Sequence, residues 1–163
     1  MIQQIEPQSG KESVWDYPRP PRVEASSRRV RVIFNGETIA DSIATYRVLE
    51  TSHPPVYYIP QQDINMKYLT PAPRTTFCEF KGMANYWTMR VADRKIENAA
   101  WCYADPRPGY AEIQNYIAFY PDRMDACYLD DELVQPQAGD FYGGWITSDI
   151  AGPFKGGVGS FDW

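Results

Sequence analysis

His53 is the only histidine in the chain, and histidine is the residue type whose unperturbed pKa lies nearest neutrality. It sits in Glu50-Thr51-Ser52-His53-Pro54-Pro55-Val56-Tyr57-Tyr58, where two prolines fix the bend behind it. An imidazole held there can hydrogen-bond a ligand or move a proton at a pocket mouth. It can equally cap backbone groups and hold the bend. No Ser-His-Asp triad is assigned, because such triads are set by geometry and not by sequence position.

Lys81 and Cys78 form a second chemical pair of positions. Lys81 follows an expected strand and precedes Gly82, and glycine permits close approach of backbone to a ligand. Lys81 is read as a site for an anionic group or as a solvated turn lysine. A nearby ammonium favours thiolate over thiol, which would make a cysteine three residues earlier reactive. Phe77 and Phe80 flank it, so it also reads as a small buried strand residue. Cys102 and Cys127 read as packing.

The third group is aromatic. A hairpin over residues 85–103, turning at Asp93-Arg94, places Arg90 opposite Glu97 as an opposite-charge pair. One face then carries Trp87, Met89, Val91, Ile96, Ala100 and Cys102, with Asn98 opposite Met89 and in need of hydrogen-bond partners. The other face carries Tyr86, Trp101 and Tyr103 with Arg90 and Glu97. Large rings among a few polar groups suit a small-molecule pocket; cover by the aromatic C-terminal segment is the competing reading.

The elements that must position these groups are strands. The chain has 12 Tyr, 7 Phe and 5 Trp beside 14 Pro, a combination that favours short strands and rigid turns over helices. Asn35-Gly36 marks a two-residue type I′ hairpin, pairing Phe34 with Glu37, Val32 with Ile39 and Val30 with Asp41. Further strands are expected at residues 46–50, 56–60, 66–69, 75–80, 116–120 and 126–129. Brief helical turns are expected at 61–64 and 110–115. The fold class is mostly β, antiparallel sheets over a core.

Three zones are expected: an N-terminal arm over 1–21 with Val14, Trp15 and Tyr17 as its docking point, a β-rich domain over 22–134, and a glycine- and aromatic-rich extension over 135–163. Hydrophobic residues at 44% and charged residues at 23% are those of a soluble globular domain. The longest apolar run, residues 99–104, is far short of the roughly 20 residues that span a bilayer. Residues 1–11 lack a basic-then-apolar leader pattern, so the cytoplasm is the default location, without membrane contact. The net charge of −5 and scattered basic residues argue against nucleic acid as a partner. Three cysteines without a Cys-x-x-Cys pair argue against structural zinc. The acidic residues between Asp122 and Glu132 lack the glycine-bearing EF-hand pattern and read as a solvated edge; no metal and no cofactor are expected.

Four segments together resemble a bacterial and fungal family known as domain of unknown function 427. They are the histidine segment quoted above, Thr75-Thr76-Phe77-Cys78-Glu79-Phe80-Lys81-Gly82 with Tyr86-Trp87, Glu97-Asn98-Ala99-Ala100-Trp101-Cys102-Tyr103-Ala104-Asp105-Pro106, and Tyr116-Ile117-Ala118-Phe119-Tyr120. The resemblance implies a β-tent (Mss4-like) architecture of two antiparallel sheets joined along one edge. Relatives of that architecture hold zinc through Cys-x-x-Cys pairs that this chain lacks. Family members also carry a nucleotidyltransferase-like label, yet no Gly-Ser with a spaced Asp-x-Asp stands here to support that chemistry.

The leading expectation is a domain that binds a small polar or cyclic ligand in an aromatic pocket formed by His53, Tyr57, Lys81, Tyr86, Asn98, Trp101 and Tyr103. An enzyme would use His53 as acid/base and Lys81 to stabilise an anionic transition state. An interaction module would instead dock a partner through its aromatic tail.

Overall fold

The computed structural model describes residues 11–139 and 141–163. Residues 1–10, which make up nearly all of the segment read for a leader and half of the expected arm, lie outside the described residues. In chain order the strands are β1 (Glu12–Ser13), β2 (Arg22–Ser26), β3 (Val30–Phe34), β4 (Glu37–Ser42), β5 (Thr45–Leu49), β6 (Val56–Tyr58), β7 (Leu69–Cys78) and β8 (Gly82–Val91). They continue as β9 (Arg94–Cys102), β10 (Ala118–Phe119), β11 (Ala126–Leu129), β12 (Glu132–Leu133), β13 (Gln135–Pro136), β14 (Trp145–Ile146) and β15 (Ile150–Ala151). The fold is mostly β, and among the described residues every pairing of these strands is antiparallel except the short parallel contact of β1 with β15.

Asn35 and Gly36 both take positive φ, 48° and 78°, as a type I′ turn requires. Phe34 faces Glu37 as expected. A bulge between Val32 and Ile33 then shifts the pairing, so Val32 faces Ala40 and Val30 faces Ser42 rather than Ile39 and Asp41. The bulge does not cost the core its face: Val30, Val32, Phe34 and Ile39 are all fully buried.

The β8–β9 hairpin turns one residue earlier than expected, through Ala92-Asp93, and Arg90 faces Lys95 instead of Glu97. Glu97 pairs with Lys95 on its own strand at 3.6 Å. Past the turn, residues 97–99 stand against Thr88 alone, with Asn98 at φ +54°. That bulge restores the expected register beyond it, Trp87 opposite Ala100 and Tyr86 opposite Trp101. The two faces therefore separate as the sequence implies. Met89, Val91, Ala100 and Cys102 enter the larger core, while Tyr86, Trp101 and Tyr103 enter a second cluster.

Residues 66–68 form a 3-10 turn rather than a strand, and β7 runs on from Leu69. Pro71 and Pro73 lie inside it, which is tolerated because β7 is the outer strand of the sheet β10-β9-β8-β7. The expected helical turns stand at Gln61–Asp63 and Pro108–Ile113.

The larger core packs between that sheet and the sheet β12-β11-β3-β4. A three-stranded sheet, β2-β5-β6, is tied to the first through paired backbone bonds of 2.9 Å between Ile59 and Ile117. Around this join the second cluster gathers Val48 and Tyr58 from one sheet with Ala84, Tyr86, Trp101 and Tyr103 from the other. Val14 is fully buried with Tyr17, Leu49 and Ile150, and the Trp15 indole donates to the Pro153 carbonyl at 2.8 Å.

The acidic edge is largely paired. Asp125 accepts from the Asn35 backbone and from Arg94, and Asp130 from Arg28 and the Arg29 backbone. These bonds hold both carboxyls below their usual range. Among the described residues no helix is long and apolar enough to cross a membrane.

Candidate functional site

A cavity of about 240 Å³ opens between β5–β6 and the β7–β9 face of the neighbouring sheet. Its walls include Tyr58, Tyr86, Trp101, Tyr103 and Tyr142, and its charged groups are Glu50, Glu79, Lys81 and Lys155, with His53 beside them.

His53 is set by the bend that its prolines predict. Its backbone N–H donates to the Glu50 carbonyl at 3.0 Å, and Ser52 before it takes φ +72°. Nδ1 lies 3.0 Å from the Thr51 carbonyl. A carbonyl only accepts, so Nδ1 carries the proton and the neutral ring keeps Nε2 as an acceptor. Burial lowers the His53 pKa from its ordinary 6.5; Glu50 opposes that shift, while Lys155 and Arg19 reinforce it. The Tyr142 ring meets the imidazole edge-on at 4.9 Å.

Lys81 keeps 9% of its surface exposed. Its Nζ donates to Cys78 Sγ at 3.3 Å and stands 5.8 Å from the Tyr103 ring centre. The glycine after it serves a neighbour within the chain: the open side of Gly82, at φ +110°, is closed by backbone atoms of residues 105–107 from 3.6 Å.

Trp101 Nε1 donates to Tyr58 Oη at 3.2 Å. Burial drives the Tyr58 and Tyr103 pKa values upward, so both hydroxyls keep their protons and act as neutral hydrogen-bonding groups. On its other side Trp101 is covered by the tail. A Cβ on Gly143, which has φ +73°, would stand 2.6 Å from Trp101 Cη2, and one on Gly144 would stand 2.6 Å from Pro54 Cγ. The tail therefore covers part of the aromatic face, and the cavity opens on the rest.

Of the expected site residues, His53, Lys81, Tyr86, Trp101 and Tyr103 line this one cavity. Tyr57 does not. It points into the larger core, 5.3 Å from Trp145, where burial pushes its pKa up to about 12; the adjacent Tyr58 faces the cavity instead. Asn98 does not line it either. Its bulge turns it toward a separate hollow beside Arg74, Glu97 and Arg123, and its carbonyl accepts from Arg123.

Sequence reasoning missed Glu50, Tyr58, Tyr142 and Lys155 as wall residues. Glu50 and Tyr58 were within the quoted segment. Tyr142 and Lys155 carry no local signal, because only the path of the tail brings them there. Of the tail aromatics, Trp145 is buried with its indole donating to the Phe119 carbonyl, and Trp163 packs on Trp15. Among the described residues no group of three or more His, Cys, Asp or Glu side chains could hold a metal ion.

The arrangement offers aromatic faces for a ring, charges of both signs, and an imidazole acceptor, all in one partly closed space. A family model described as "Domain of unknown function (DUF427)" matches residues 22–130. Those residues include His53, Lys81, Tyr86, Trp101 and Tyr103, whereas Tyr142 and Lys155 lie beyond them. Among curated proteins, none matches the chain.

Proposed function

The chain belongs to the family described as domain of unknown function (DUF427), and from that premise we propose that it binds a small polar ligand carrying a ring. One observation carries this reading: five of the seven residues expected at a site from sequence line a single cavity. The ring would rest against Trp101 and Tyr103. Its polar atoms would reach His53 Nε2 as acceptor and Lys81 Nζ as donor, with Glu50 and Lys155 at the margin.

Size supports a small ligand. The cavity's volume of about 240 Å³ lies just below the range of about 300–1,000 Å³ usual for drug-sized ligands, which suits a compound of one or two rings. Within the same reading the architecture is a β-tent, supported by the Ile59–Ile117 join between two antiparallel sheets.

Calorimetric titration of nucleosides, sugars and cyclic imides tests the proposal on the wild type and on Trp101→Phe, which keeps a ring but loses the indole N–H and area. A compound that binds the wild type and is weakened by the substitution supports it. Equal binding to both proteins removes Trp101 from the site.

A second reading, supported by His53 and Lys81 sharing the cavity wall, is an enzyme in which His53 moves a proton and Lys81 stabilises an anion. A His53→Gln protein that binds a ligand but no longer converts it would separate catalysis from binding.

A further inference from the structure

Cys78 and Lys81 lie at the end of β7 and in the turn before β8, where Cys78 pairs with Gly82. Three features coincide. Lys81 Nζ donates to Cys78 Sγ at 3.3 Å. Among the described residues this sulfur is the only hydrogen-bond acceptor of Nζ, and no carboxylate pairs with it. Both side chains line the cavity, and Cys78 is only half-buried. A thioether or thiol sulfur is a weak acceptor, so a nine-tenths buried ammonium with that one hydrogen-bond partner, beside the Tyr103 ring, keeps protons to give. The turn is itself held, since the Arg107 backbone N–H donates to the Lys81 carbonyl at 2.9 Å.

We infer that Cys78 and Lys81 form a redox-sensitive modification site that takes hydrogen peroxide or a small organic hydroperoxide and closes into a sulfur–nitrogen link. The Cys78 thiolate attacks the terminal peroxide oxygen. The O–O bond breaks, sulfur is oxidised to sulfenic acid, and the peroxide is reduced. Lys81 gives its proton to the departing oxygen, which leaves as water or an alcohol. The neutral Lys81 amine then attacks the sulfenic sulfur, the S–O bond breaks, and a sulfenamide forms with loss of one water. In sum, thiol, amine and hydroperoxide become sulfenamide, alcohol and water, and excess thiol reverses the link.

Disulfide formation does not compete within the chain. Cys102 and Cys127 lie in the larger core, 3% and 2% exposed, on the opposite face of the sheet system. The Cys102 sulfur is engaged by the Trp87 indole at 3.2 Å. The nearest nucleophile to an oxidised Cys78 is therefore Lys81. This chemistry does not depend on ligand binding, although a bound ligand would shield it.

The test treats the full chain with hydrogen peroxide and, separately, with a small alkyl hydroperoxide, followed by intact-mass and tryptic mapping. The expected result is a product two hydrogens lighter, with trypsin no longer cutting after Lys81 until thiol is added. Cys78→Ser should lose the change. Lys81→Arg keeps a cation that cannot become a nucleophile, so trypsin should cut there and dimedone should trap Cys78 as sulfenic acid. The inference is overturned if wild type gives no such product, if Cys78→Ser still gives it, or if dimedone labels Cys78 as fully in wild type as in Lys81→Arg. Melting curves matching wild type establish that each variant is folded, and the wild-type readout needs no variant.

Discussion

The indole of Trp101 donates to the hydroxyl of Tyr58 at 3.2 Å, and this bond joins β9 to β6 across the wall of the cavity. Both side chains are buried, so the bond is shielded from water. Tyr58→Phe keeps the ring but leaves the indole N–H without its acceptor. A buried orphaned donor costs about 1–3 kcal/mol. Urea unfolding should show a stability lower by that amount, read as a lower midpoint at an unchanged slope.

Gly143 carries two constraints at once, a φ of +73° and a Cβ position 2.6 Å from Trp101. Gly36 carries only the first, with φ +78° and open space around it. Gly36→Ala should cost about 1 kcal/mol from backbone strain alone. Gly143→Ala should cost at least about 2 kcal/mol, because the tail or the indole must also shift. Unfolding of the two variants side by side checks the contact of tail with Trp101.

His53 gives stability a pH dependence of definite sign. Its folded pKa lies below the ordinary 6.5 because burial disfavours the imidazolium. The unfolded chain therefore binds the proton more readily, and stability rises with pH through the interval between the two values. The contribution is complete above about 6.5 and is lost as pH falls from there through the folded pKa. Subtracting the stability profile of His53→Gln from that of wild type isolates it from the carboxylates, which titrate lower. A flat difference between pH about 7 and about 5 would contradict the assignment.

Much of the site was legible in the sequence where a local rule applied. The Ser52-His53-Pro54-Pro55 bend and the shared face of Tyr86, Trp101 and Tyr103 follow from prolines and strand alternation. Tyr57 and Tyr58 could not be told apart because both are buried on opposite faces of β6, and a strand apolar on both sides does not declare which ring faces which cluster. Asn98 was misplaced for a different reason. Regular pairing already set it opposite Met89, on the face away from Tyr86 and Trp101, and the bulge at Asn98, whose amide side chain tolerates positive φ, turned it toward a separate hollow. The same bulge compensated the early turn at Ala92, which is why the register at Trp101 stood while that at Arg90 did not. Lys155 and Tyr142 depend on how a nonperiodic tail folds back, and nothing in a local pattern encodes that path.

Whether the cavity between β5–β6 and β7–β9 receives a small ring-bearing ligand is decided by crystals soaked with a panel of single-ring polar compounds. Density for a ring is expected against Trp101 and Tyr103, with polar atoms within hydrogen-bond reach of His53 Nε2 or Lys81 Nζ. Compounds bound at other surfaces while only water occupies this cavity would contradict it.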